Sequence, residues 1–152
     1  MARRKIAPRF GDVFEIPLSD GDIAYGHVLR GNLVGFYDVK SAVRLPVEKV
    51  VRNGVAFRIV CAIDAIQGGK WPIVGNASPP SPMVEPIRFW RSTAPGFIFM
   101  YEWRANESDE EQRVTETEIV GLEESVIWSS FAVVERLELF FRGERDPRVV
   151  IG

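Results

Sequence analysis

Histidine and cysteine are nearly missing from this 152-residue chain, which has one of each. A lone histidine, His27, excludes HExxH sites, two-histidine metal sites and any centre needing several imidazoles. A lone cysteine, Cys61, excludes a disulfide within the chain and a CxxC metal or redox site. Within VAFRIVCAID it reads as a small buried hydrophobe. No run approaches the roughly 18 apolar residues of a membrane span. Met1 to Lys5 is basic, but Ile6-Ala7-Pro8-Arg9 gives a signal peptide no apolar centre. There is no G-x-S-x-G elbow and no Walker A sequence. Gly68-Gly69-Lys70 is followed by Trp71-Pro72 rather than a helix, so it reads as a hairpin turn. A large charge excess is missing too. The 19 basic and 21 acidic residues leave −2, which gives no reason to expect direct nucleic-acid or membrane binding. These absences lead to the expectation of a soluble, cytoplasmic protein without cofactor, forming a single domain over residues 1–152.

What is present is apolar and patterned, with 46% hydrophobic and 11% aromatic residues. Residues 10–39, FGDVFEIPLSDGDIAYGHVLRGNLVGFYDV, read as a three-stranded antiparallel meander. Phe14, Ile16 and Leu18 alternate onto one face. A four-residue turn at Ser19 to Asp22 pairs Leu18 with Ile23, Ile16 with Tyr25 and Phe14 with His27. A turn at Gly31-Asn32 pairs Leu29 with Val34 and His27 with Phe36. One core face then collects Phe14, Ile16, Leu18, Ile23, Tyr25, His27, Leu29, Val34 and Phe36. Pro17 lacks an N–H and suits an edge strand or a position outside the ladder.

Further along, Val55 to Ile63 reads as a strand, with Phe57, Ile59 and Cys61 on one face. Trp71 to Val74 and Ile87 to Trp90 read as short strands, separated by a loop with four prolines. Phe97 to Trp103 sets Phe97, Phe99, Tyr101 and Trp103 on one face. Ala105 to Gln112 reads as a charged turn or loop, and Arg113 to Val120 as an extended strand. Ser130 to Arg142 is the one strong helix, capped by serine and Gly143 and expected to pack through Phe131, Val134, Leu137, Phe140 and Phe141. The class is α+β: a mainly antiparallel, strongly twisted or partly closed β-sheet with a C-terminal α-helix.

Several residues carry chemistry worth weighing. His27, oriented by Asp12 or Asp38, has the makings of a general base in a small hydrolase. The plainer reading is a core histidine with satisfied ring nitrogens. Asp20 and Asp22 fall short of a calcium loop, since no glycine or glutamate follows in EF-hand register. The aromatics Trp71, Phe89, Trp90, Phe99, Tyr101 and Trp103 lack the basic background of an RNA-binding sheet, and read as core. Residues 102–124 hold nine acids and two bases, a net −7. Asp109, Glu110 and Glu111 within that run are candidates for contact with a basic partner. Arg88, Trp90 and Arg91 are the next, because Trp and Arg commonly anchor interfaces.

The order of motifs resembles the immunity protein 26 family of bacterial polymorphic-toxin systems. Gly11-Asp12-Val13-Phe14-Glu15-Ile16-Pro17-Leu18 is similar to its opening pattern. Ala24-Tyr25-Gly26-His27-Val28-Leu29 and Val34-Gly35-Phe36-Tyr37-Asp38 resemble its next two strands. Gly69-Lys70-Trp71-Pro72-Ile73-Val74-Gly75 and Pro86-Ile87-Arg88-Phe89 resemble later elements. The likeness covers roughly residues 10–104. It implies a cytoplasmic antitoxin that binds and neutralises a cognate toxin, a nuclease being one class of partner. Some members carry a phosphotriesterase label; this sequence offers no ligand set for a binuclear metal centre, so that activity is not carried over. The family supplies no catalytic residue to transfer. Two readings stand beside the binding module: the small hydrolase using His27 and a generic ligand-binding β domain. The surroundings of His27 discriminate between the first two.

Overall fold

The computed structural model describes residues 5–152, apart from the side chains of Ser108 and Asp109. Arg3 and Arg4 lie outside the described residues. A five-stranded antiparallel sheet is built from β1 (Asp12–Pro17), β2 (Ile23–Val28), β3 (Leu33–Ser41), β4 (Val55–Val60) and β5 (Ile73–Asn76). Its order is β4-β3-β2-β1-β5. A second sheet contains β6 (Ile87–Thr93), β7 (Phe97–Arg104), β8 (Glu107–Val114) and the short β9 (Glu123–Glu124), in the order β8-β7-β6-β9. Three single-turn helices, α1 (Val47–Val50), α2 (Asp64–Gln67) and α3 (Ser81–Val84), sit in connections. The long helix α4 (Ser130–Phe141) follows β9. The α+β class and the C-terminal helix are as expected, and neither sheet closes into a barrel.

The meander forms, but in a different register. Leu18 donates its N–H to the Asp22 carbonyl at 2.9 Å, so the first loop is Ser19 to Gly21. Leu29 donates to the Leu33 carbonyl at 3.0 Å, so the second is Arg30 to Asn32. Both loops have three residues, not the even number expected. Gly21 supplies the left-handed residue of the first, with φ at 88°. An odd loop shifts pairing by one residue and moves side chains to the opposite face. Phe14 therefore lies opposite Gly26, and His27 opposite Val13 and Gly35. Leu29 does not pair with Val34, and His27 does not pair with Phe36.

The expected single face is thus two faces, both buried. Phe14, Ile16, Leu18, Ala24, Val28, Val34 and Phe36 form one cluster with Ile59, Cys61, Trp71, Trp128, Val133 and Leu137. Val13, Tyr25, Leu29, Leu33 and Tyr37 form the other, with Val50, Met83, Phe89 and Trp103. Helix α4 covers the first face. The second sheet, α1 and α3 cover the second. Trp103 fastens that layer: its indole N–H donates to the Arg30 carbonyl at 3.1 Å, and Arg30 Nε donates to the Arg104 carbonyl at 2.8 Å. Pro17 ends β1, which lies inside the sheet; Pro17 itself is beyond the β5 pairing.

Three other expectations need correction. Glu107 to Val114 is a strand rather than a charged loop, and the expected strand from Arg113 ends at Val114. A 3-10 turn over Glu116–Ile119 follows, closed by a capping box between Thr115 and Glu118. Helix α4 has the expected start and stop: Ser129 Oγ accepts the Ala132 N–H, and Gly143 takes φ of 73°. Its buried residues are Val133, Arg136 and Leu137, with Val134, Phe140 and Phe141 half-buried, while Phe131 is 74% exposed. The face is rotated because Arg136 occupies part of it. Its guanidinium lies 4.1 Å from the Phe57 ring and 4.7 Å from the Trp128 ring, and makes two bonds to Glu123.

Candidate functional site

His27 is fully buried, on the face away from Phe14 and Phe36. Its Nε2 lies 2.9 Å from the Ala77 carbonyl, and its Nδ1 lies 2.7 Å from the Tyr37 hydroxyl. A carbonyl only accepts, so Nε2 carries the proton. Nδ1 then accepts from Tyr37, and the neutral ring has both nitrogens occupied. Asp12 is engaged elsewhere: it accepts from the Arg9 N–H at 2.7 Å and the Asn76 amide at 3.0 Å. Asp38 is exposed. The histidine has no free lone pair aimed at a cleft, which the hydrolase reading needs. Cys61 is buried, and burial pushes its thiol up to about 12, so it has little thiolate character at neutral pH. Among the described residues, no group of three or more His, Cys, Asp or Glu has the arrangement to hold a metal.

The His27 environment makes stability depend on pH. Burial pushes the imidazole below its ordinary 6.5, outweighing the Ala77 carbonyl and the Asp12 charge, which push it up. The unfolded chain therefore takes up the proton first on acidification. The stability this neutral ring contributes is complete above about pH 6.5 and falls as pH drops from there towards the folded value. With one histidine in the chain, the effect is separable from the carboxylates, a class whose ordinary values lie at about 4. Urea midpoints should fall between pH 7 and 5.5 in the wild type, as the unfolding free energy drops by at most about 1.4 kcal/mol per pH unit. His27→Gln should flatten that slope. A flat wild-type profile would contradict the neutral buried ring.

The interface candidates come together on the second sheet. β7 joins them: Phe99 pairs with Arg91 on one side and Arg113 on the other, and Tyr101 with Phe89 and Glu111. The four β7 aromatics share one face, as alternation predicts. Trp103 and Phe89 at one end are buried in the core. Towards the other end the aromatics leave it, and arginines cover them. Arg91 lies 4.7 Å over the Phe99 ring and Arg113 lies 3.7 Å over Phe97. Arg91 also bonds Glu111 at 2.5 Å. Arg88 and Trp90 are on the opposite face of β6, as strand alternation requires. There a depression of about 420 Å³ is lined by Arg88, Glu102, Arg104, Glu110 and Gln112. Arg104 and Arg88 both bond Glu102, at 2.7 and 3.1 Å, and hold its carboxyl below its ordinary value, Arg104 the more strongly. Trp90 donates its indole N–H to the Leu122 carbonyl at 3.0 Å.

The acidic run is therefore partly balanced within the sheet, through Arg91 and Arg104. Glu110 is exposed and has no ion-pair partner among the described residues. The side chain of Asp109 lies outside the described residues. Sequence reasoning missed the arginine–aromatic ladder, whose only signal is the β7 register. It also missed the exposed Ile127, just before α4, and Phe131 in its first turn, each 74% exposed.

The immunity protein 26 family model matches residues 9–98, more than half of the chain. The chain belongs to the immunity protein 26 family. The matched span runs from the residues before β1 into β7, and takes in the whole five-stranded sheet. Strands β8 and β9 and helix α4 lie beyond it. Membership gives the chain an immunity-protein role and implies a cognate toxin as partner. No curated protein and no solved structure matches the chain. Among the described residues, no helix is long and apolar enough to cross a membrane.

Proposed function

We propose that this immunity protein neutralises one cognate toxin in the cytoplasm by binding it, without turnover and without a cofactor. The contact is the β8 side of the second sheet: Asp109, Glu110 and Glu111 lie on β8, with Arg91 beside Glu111 on one face, and Arg88 and Trp90 of β6 on the other. The observation that carries this reading is the Arg91–Glu111 ion pair beside the ring of Phe99. It joins two segments distant in sequence into one surface of arginine, aromatic and carboxylate groups, the composition of an interface centre with a charged rim. The occupied nitrogens of His27 support binding over hydrolysis. A toxin with a basic cleft, as nucleases have, suits the acidic strand.

The test is association with the cognate toxin domain. Asp109→Asn, Glu110→Gln and Glu111→Gln are combined, and the rate is measured at low and high salt. The rate should fall about tenfold at low salt, with a shallower salt dependence, because rim charges act mainly on encounter. Arg91→Ala should act chiefly on dissociation. An unchanged rate and salt slope would remove the acidic strand from the contact.

A further inference from the structure

Strand β8 is an open sheet edge. The other edges are shorter or partly covered. β9 has two residues, and its outer side is occupied by the chain end, where Glu123 bridges Ile151. β5 has four residues and runs into the proline-rich loop. β4 has six residues, and its C-terminal end is capped where Trp128 donates to the Val60 carbonyl at 3.0 Å and accepts from the Ala62 N–H at 2.9 Å. β8 is eight residues long, and among the described residues no backbone group bonds its outer side.

The outward groups can be assigned from the far side of the sheet. Ser125 donates its N–H to the Trp90 carbonyl at 2.6 Å, so Trp90 faces β9. In an antiparallel ladder successive residues face opposite sides. Phe89 and Arg91 then bond Tyr101 and Phe99, while Met100 and Glu102 bond Gln112 and Glu110. Glu111 and Arg113 are left with their N–H and C=O groups directed outward.

Resting on the reading of this sheet as the toxin contact, we infer that β8 receives an extended basic segment of the toxin as an added antiparallel or parallel strand. The occupant is argued from charge. β8 holds four acids and one base, Glu107, Asp109, Glu110, Glu111 and Arg113. Lysine or arginine on an incoming strand meets carboxylates across the new pairing, and the outward backbone groups gain partners. A second copy of this chain is disfavoured. The two antiparallel registers that overlap β8 most fully set Glu111 or Glu110 opposite its own copy. The same charges keep the free edge from pairing with itself.

The experiment separates backbone from side chain. Arg113→Ala and Arg113→Pro both remove the guanidinium, but only proline removes the outward N–H. An outward N–H on an edge strand is where proline is tolerated. Binding of each variant to the cognate toxin domain, in a catalytically inactive form, is measured beside the wild type. Arg113→Pro should bind about tenfold more weakly than Arg113→Ala. Independently of any variant, amide exchange at Glu111 and Arg113 in the wild type should slow at least about tenfold on adding the toxin domain. Equal affinities of folded Pro and Ala variants, or unslowed amides in a formed complex, overturn the inference and leave the binding function standing. Protection of those amides in the protein alone, with a dimeric mass, overturns it in favour of self-pairing. A wild type that does not bind the toxin domain overturns the functional reading and this inference with it.

Discussion

Phe14→Ala should destabilise the fold by about 3–5 kcal/mol, read as a lower urea midpoint at unchanged slope. The ring is fully buried, stacked on Trp71 at 5.6 Å and edge-on to Phe36 at 6.4 Å. Its removal leaves a cavity between the sheet and α4. Gly26 lies directly across, and a Cβ there would come within 2.3 Å of the Phe14 ring. Gly26→Ala alone should therefore cost about 1–3 kcal/mol through overpacking. The double variant should lose less than the sum, because the new methyl enters the space the ring has left. Strict additivity would argue that Phe14 faces some other residue. Lys70→Ala, at an exposed turn, is the control and should change stability by under about 0.5 kcal/mol.

Arg136→Ala should cost about 3 kcal/mol, a large effect for a charged residue. The side chain links α4, through its bonds to Glu123, to the second sheet and, through the Phe57 ring, to the first. Alanine leaves the Glu123 carboxylate, only 17% exposed, without its cation. Glu123→Gln in the Arg136→Ala background should recover part of the loss, since it removes the stranded charge. Thermal or urea melts of the two variants decide the matter. Equal stabilities would show that Glu123 finds water or another partner, and that the loss is one of packing against Phe57 and Trp128.

The strands of the meander were legible because Phe14, Ile16 and Leu18 alternate, and alternation needs no tertiary information. Register was not. It turned on whether Ser19 to Asp22 closes as four residues or three, and Asp20-Gly21 is compatible with both. That one residue decided which face His27 occupies: its burial was expected, its neighbours were not. β8 was hidden because Glu and Asp are poor strand formers, and ESDEE looks like a loop unless it lies on an edge, where charge is favourable. Phe131 repeats at helical spacing with Val134, but helical spacing does not reveal that an arginine fills the neighbouring stripe. The interface candidates were each found as segments. That Arg91 and Glu111 adjoin follows only from the pairing of β7 with both its neighbours.

The order in which the layers are made sets a problem of timing. Strands β1 to β4 are complete by Val60, and α4, which covers their Phe14 and Phe36 face, begins at Ser130. At roughly 5–20 residues per second, the intervening 69 residues take about 3–14 s to synthesise. Throughout that interval the nascent meander carries an apolar face with no helix to close it. On a crowded ribosome that surface is a natural substrate for chaperones, and a message stalled before residue 130 would release a sticky fragment rather than a small soluble sheet.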